Sequence, residues 1–186
     1  MGLTTAIAGS LAIAAVSTLG DLVWATWITS HRAVYGLIHG ALLFLAIGAL
    51  LGFIAGRPAA GALLGACVGM LAAGLYYLLA PVLGFSAMVV SWMAVWLGLA
   101  VMYARLAAPR LAPRQRHDFH LNFTAMLGRG VIAAVASGLA FYAISGIWRP
   151  FDPQGWDYVI HFASWTFAYF AGLGPLLLRT RTSAIQ

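Results

Sequence analysis

Six long apolar runs, separated by short polar breaks, take up nearly all of this 186-residue chain, at residues 3–29, 34–56, 60–84, 86–105, 124–148 and 156–178. At about 1.5 Å of helix rise per residue, each can cross a hydrocarbon layer about 30 Å thick. In lipid every backbone N–H and C=O needs an internal partner, so runs of this length must be helices. The expected fold is therefore all-α: a polytopic transmembrane helix bundle of about six spans. Composition agrees, because 63% hydrophobic residues, 8% charged ones and a mean hydropathy of +0.93 lie well outside the range of a soluble domain. No stretch remains to bury a separate soluble core, so residues 1–186 read as a single transmembrane domain.

The breaks are well marked. Ser30-His31-Arg32 separates the first two runs, Arg57-Pro58 the next two, and Pro81 with Gly84 bends the chain into the fourth. A basic loop at 106–122 and the stretch Arg149 to Gly155 are the longest connections. The charge consists of ten arginines and no lysine against four aspartates and no glutamate. Threaded through six spans, Arg57, Arg105, Arg110, Arg114, Arg116, Arg129, Arg179 and Arg181 fall on one side, and only Arg32 and Arg149 on the other. The positive-inside rule then puts both termini and the 106–122 loop in the cytoplasm. Trp24, Trp27, Trp148 and Trp156 flank the opposite, outer ends as an aromatic belt. The expected location is an integral one in a bacterial inner membrane, with membrane lipids as partners.

The apolar N-terminus lacks a basic leader and is too long for a signal-peptide core, so it reads as a retained first span. Cys67, the only cysteine, excludes an intrachain disulfide and reads as small core filler. The second and third runs carry glycines four residues apart, at 48, 52 and 56 and at 61, 65 and 69. Such ridges let helix backbones approach closely where lipid provides no hydrophobic drive. With only a short turn between them, the two ridges are expected to face each other.

Ionisable groups inside apolar spans are costly and are candidate functional residues by default. Asp21 lies roughly 12 Å below the outer end of its span, His39 roughly 8 Å and His161 roughly 6 Å. The three are expected to gather in one pocket in the outer leaflet. Asp157 stands four residues before His161, one helical turn away, where it can orient or charge the imidazole. Tyr35 has the same spacing to His39, and Gly36 and Gly40 leave room beside that ring. Trp165, a turn beyond His161, could floor a pocket. Arg32 and Arg149 in the outer turns are the natural contacts for an anionic head group.

Asp21, His39, Asp157 and His161 are thus the candidate catalytic residues, and Arg32, Tyr35, Arg149 and Trp165 the candidate ligand contacts. A general base at Asp21 or His39 with His161 as its acid partner is one chemistry open to them. Asp21, His39 and His161 are also candidate metal ligands, and His39 with His161 could clasp a b-type haem. His117 and His120 in the basic loop read as a solvated segment attracted to anionic lipid.

Two functions fit this pattern. In the first, the outer-leaflet pocket binds or processes a lipid or small hydrophobic ligand. In the second, the chain is a non-catalytic structural or assembly subunit, as a homo-oligomer or beside a partner membrane subunit, with the Asp/His cluster as hydrogen-bond glue. Motifs for a serine nucleophile, for phosphate cradling or for nucleic-acid binding are absent from the sequence.

Overall fold

The computed structural model describes residues 3–28, 30–84, 86–108, 119–145 and 155–177, without the side chains of Leu3, Thr5, Ala6, Asp21, Trp24 to Thr26 and residues 119–122. These residues form six helices: α1 (Leu3–Trp27), α2 (Arg32–Ile54), α3 (Pro58–Leu83), α4 (Ser86–Ala107), α5 (Phe119–Ser145) and α6 (Trp156–Leu177). The bundle expected from the apolar runs is present, and most helix ends fall within two residues of them. The largest departure is the start of α5, which extends back into the stretch read as loop, to Phe119. Between Pro113 and Phe119 no glycine or proline intervenes to end a helix. Pro81 does not stop α3 either; the helix runs through it and turns at Gly84, where φ is 55°.

Each helix packs on its neighbours in the chain, and α6 returns to pack on α1, so the six close into a ring. Across the middle, α2 also touches α4. Ile13 and Ala14 of α1, Leu43, Ile47 and Leu51 of α2, Val95, Trp96 and Leu99 of α4, and Tyr169 and Leu173 of α6 form the inner core. Outward, the ring exposes large apolar side chains, among them Leu19, Phe53, Leu63, Leu71, Leu78, Val82 and Leu139. So much apolar surface is unsustainable in water and is ordinary in lipid. Four helical segments, Arg32–Ile54, Pro58–Leu83, Ser86–Ala107 and Phe123–Ser145, are long and apolar enough to cross a membrane. Helices α1 and α6 have 25 and 22 residues; Asp21 lies in α1, and Asp157 and His161 in α6.

The α2–α3 hairpin is the tightest element. Helix α2 ends in a Schellman turn: Gly56 adopts φ 70°, its N–H bonds to Phe53 O at 3.0 Å, and the Arg57 N–H bonds to Gly52 O at 2.7 Å. Pro58 then opens α3 at a position that needs no N–H donor. The turn directs the two glycine ridges against each other. A Cβ on Gly48 would fall 2.7 Å from Gly65 Cα, and one on Gly61 2.6 Å from Gly52 Cα. The opposite face of α3 therefore looks outward, and Cys67, read from sequence as core filler, is exposed there. A side chain two positions from both Gly65 and Gly69 cannot share the ridge they form.

Near the C-terminal end of α4, Arg105 lies 5.9 Å from the Phe123 ring centroid of α5, a cation–π contact across the next seam. At the opposite end of the bundle, Trp27 of α1 and Trp156 of α6 are both strongly exposed, as interfacial residues would be. Arg110, Arg114, Arg116, His117, Trp148, Arg149, Arg179 and Arg181 lie outside the described residues.

Candidate functional site

Helices α4, α5 and α6 meet around an aromatic cluster built from two pairs of residues one turn apart. Trp92 and Trp96 project from α4, and Trp165 and Tyr169 from α6, each pair at the i, i+4 spacing that places side chains on one helix face. Trp165 is the hub. Its ring stacks on Tyr169 (centroids 5.2 Å, planes 12° apart) and lies 5.4 Å from Trp92 and 4.8 Å from Phe141 of α5. Deeper in, the indole of Trp96 rests against Gly172 of α6, whose missing side chain makes the room.

The hub is fixed by one hydrogen bond. Trp165 Nε1 donates to His161 Nε2 at 2.9 Å. An indole N–H can only donate, so Nε2 is the acceptor and the neutral His161 ring carries its proton on Nδ1. Phe141 packs edge-on against the same imidazole, with centroids 6.3 Å apart. A metal ion or haem iron at Nε2 would have to displace Trp165.

Beside the cluster, a cavity of about 240 Å³ opens between α4 and α5. Met88, Trp92 and Met93 line it from α4, Ala134, Gly138, Phe141 and Tyr142 from α5, and Trp165 from α6. Val89, Val135 and Leu139 line it as well, and their exposure marks the side that faces outward from the bundle. The α4 residues lie within about 12 Å of that helix's start, and the α5 residues within about 17 Å of that helix's end, at 1.5 Å per residue. On the arginine-derived orientation, this is the outer half of the bundle.

His39 occupies a different seam. Its imidazole lies against Gly20 of α1, where any Cβ would collide with the ring. The histidine therefore sits beside the turn that carries Asp21, whose side chain is outside the description. The notches flanking His39 are both filled by α3: Tyr77 sits on Gly36, and Gly40 faces the Gly69 carbonyl. Tyr77 also donates its hydroxyl to Arg32 O at 3.1 Å, tying the outer ends of α2 and α3.

His39 thus belongs to the α1–α2 seam, while His161 turns toward α5 and Trp165. Asp157, half-buried, is one turn before His161 on α6; Arg32 and Tyr35 are exposed at the start of α2; Arg149 lies outside the described residues. Among the described residues, no group of three or more His, Cys, Asp or Glu side chains is placed to hold a metal ion.

No family model matches the chain, and no curated protein or solved structure shows significant similarity to it.

Of the residues read from sequence, Trp165 lines the cavity. Its remaining aromatic walls, Trp92, Phe141 and Tyr142, were not singled out there. The i, i+4 pairs Trp92/Trp96 and Trp165/Tyr169 were the available signal, because two tryptophans on one face of α4 matched to a Trp/Tyr pair on α6 predict an aromatic contact.

Proposed function

We propose that all six helices cross the membrane, that the chain is an integral binding protein, and that it holds a small apolar molecule in the outer-leaflet cavity between α4 and α5. The observation that carries this reading is the cavity itself: about 240 Å³, walled by aromatic and thioether side chains, with exposed apolar residues on its outward side. Binding pockets for small molecules are mostly apolar, with few polar groups to orient the guest. In this setting the guest enters sideways from the bilayer. Trp165 floors the site, and His161 acts as a positioning residue that holds Trp165, with Asp157 behind it on the same helix face.

Asp21 and His39 serve the neighbouring α1–α2 seam, close to the same membrane face. With Asp157 and His161 they are the groups from which acid–base chemistry on a guest would be drawn. The setting is a bacterial inner membrane with both termini in the cytoplasm. The α2 and α3 glycine ridges are turned on each other, so they offer no surface to a partner helix.

Gly138 provides the test. A Cβ there would meet nothing closer than Trp92 Cδ1 at 4.0 Å, so a larger side chain grows into the cavity without striking backbone. Apolar compounds that co-purify with the wild-type chain, identified by mass spectrometry of organic extracts, are expected to be depleted in Gly138→Leu and retained in Gly138→Ala. Identical extracts from all three proteins would overturn the reading.

A further inference from the structure

A cavity that opens sideways into a bilayer competes with the bilayer for its guest. Lipid tails are as apolar as aliphatic side chains, so a saturated chain gains little by leaving them for an apolar space. What these walls offer beyond lipid is aromatic. Trp92 of α4 and Phe141 and Tyr142 of α5 are half-buried rings on the lining, with Trp165 at the floor. Ring pairs attract through their quadrupoles, beyond the area that they bury. Met88 and Met93, half-buried on the same lining, add thioether sulfurs, which also favour aromatic partners.

Size narrows the choice further. An apolar cavity of about 150 Å³ takes up benzene, so a space of about 240 Å³ matches two fused six-membered rings. Its length is bounded as well. A Cβ on Gly130, one turn before Ala134, would lie 2.9 Å from the Ala100 Cβ of α4, so the two helices are in contact there and close that end. From Ala134 to Tyr142 the α5 residues of the lining span about 12 Å, less than the half-thickness of about 15 Å that a lipid chain fills.

Resting on the binding reading above, we propose that the guest is a flat aromatic ring system of about the size of naphthalene, and that ring contact with these walls selects it over saturated hydrocarbon. The lining is almost wholly apolar, so selection rests on shape and on ring and sulfur contacts rather than on hydrogen bonds.

The test compares naphthalene with trans-decalin, the same carbon skeleton fully saturated, by equilibrium dialysis in sealed cells against the full chain in nanodiscs, with uptake by protein-free nanodiscs subtracted. Wild type is expected to favour naphthalene by about three- to tenfold, the contribution of one aromatic pair. Phe141→Leu replaces a ring on the wall with an aliphatic group, so the preference should fall by at least about twofold while decalin still binds. In wild type alone, the ring current of bound naphthalene should displace the methyl proton resonances of Met88 and Met93, which decalin should leave nearly in place; this readout does not depend on a variant folding.

Equal uptake of the two compounds with both blocked by Gly138→Leu, methionine resonances that naphthalene does not move, or a preference unchanged in Phe141→Leu overturns the assignment and leaves the binding reading in place. A preference for decalin, or for n-decane, overturns it in favour of a saturated chain. If neither ring compound binds, or both bind Gly138→Leu as well as they bind wild type, the binding reading itself fails and the assignment falls with it.

Discussion

Replacing Gly48 with alanine tests whether the α2–α3 seam is held by backbone contact. The new methyl would fall 2.7 Å from Gly65 Cα and press on the Gly61 carbonyl oxygen. Carbon atoms in ordinary contact stand about 3.5 to 4.0 Å apart, so the helices must separate by roughly 1 Å at this level. Neither obstacle is the end of a flexible side chain that can swing away. Overpacking of this kind costs about 1 to 3 kcal/mol. Alanine ordinarily recovers about 1 kcal/mol over glycine through helix propensity. In a bilayer that gain largely cancels, because a separated span stays helical to satisfy its own backbone. The expected net loss is therefore about 2 kcal/mol, near the middle of the overpacking range. Gly128 of α5 is the control, because nothing beyond its own turn lies within 4 Å of its Cβ position and no proline follows it in the helix; Gly128→Ala should stay within about 0.5 kcal/mol of wild type. The measurement is reversible unfolding of the purified chain in bicelles, followed by circular dichroism over a denaturing-detergent titration. Equal midpoints for Gly48→Ala and Gly128→Ala would refute the argument that these ridges are in contact.

One further substitution and one spin label probe the remainder of the bundle. His161→Ala removes the acceptor of the Trp165 N–H inside an apolar cluster, so it should cost about 1 to 3 kcal/mol and weaken the near-ultraviolet circular dichroism of the Trp165–Tyr169 stack; an unchanged aromatic spectrum and stability would show that the 2.9 Å bond does not hold the hub. A nitroxide on Cys67, exposed roughly 13 Å from the start of α3, should collide readily with dissolved oxygen and rarely with a water-soluble nickel chelate; the reverse pattern would place that face of α3 in water and contradict a membrane-crossing helix.

What was legible in the sequence and what was not follow from one property of lipid as a solvent. Helix number and approximate ends could be read because length and apolarity alone decide which segments can satisfy their backbones inside a bilayer. Facing was much harder to read, because a span is apolar both where it meets lipid and where it meets another helix, and the usual amphipathic stripe disappears. That is why Cys67 looked like core and is exposed, and why the cavity between α4 and α5 left no clear trace. Glycine was the exception. A repeat of missing side chains marks a face whatever the solvent, so the α2–α3 contact could be anticipated residue by residue.

The two histidines show how little polarity alone says about direction. An imidazole in hydrocarbon must find a partner, but the sequence does not say on which helix. For His161 a partner already stood one turn along its own helix: Trp165 is a donor at i+4, and a local bond closes without drawing another helix into place. His39 has Leu43 at that position and Tyr35 one turn before it, and its ring lies across the seam against Gly20. A polar residue in a span therefore marks an interhelical site only after the turns above and below it have been searched for a partner, a search that reaches Asp157 and Trp165 around His161 and Tyr35 before His39.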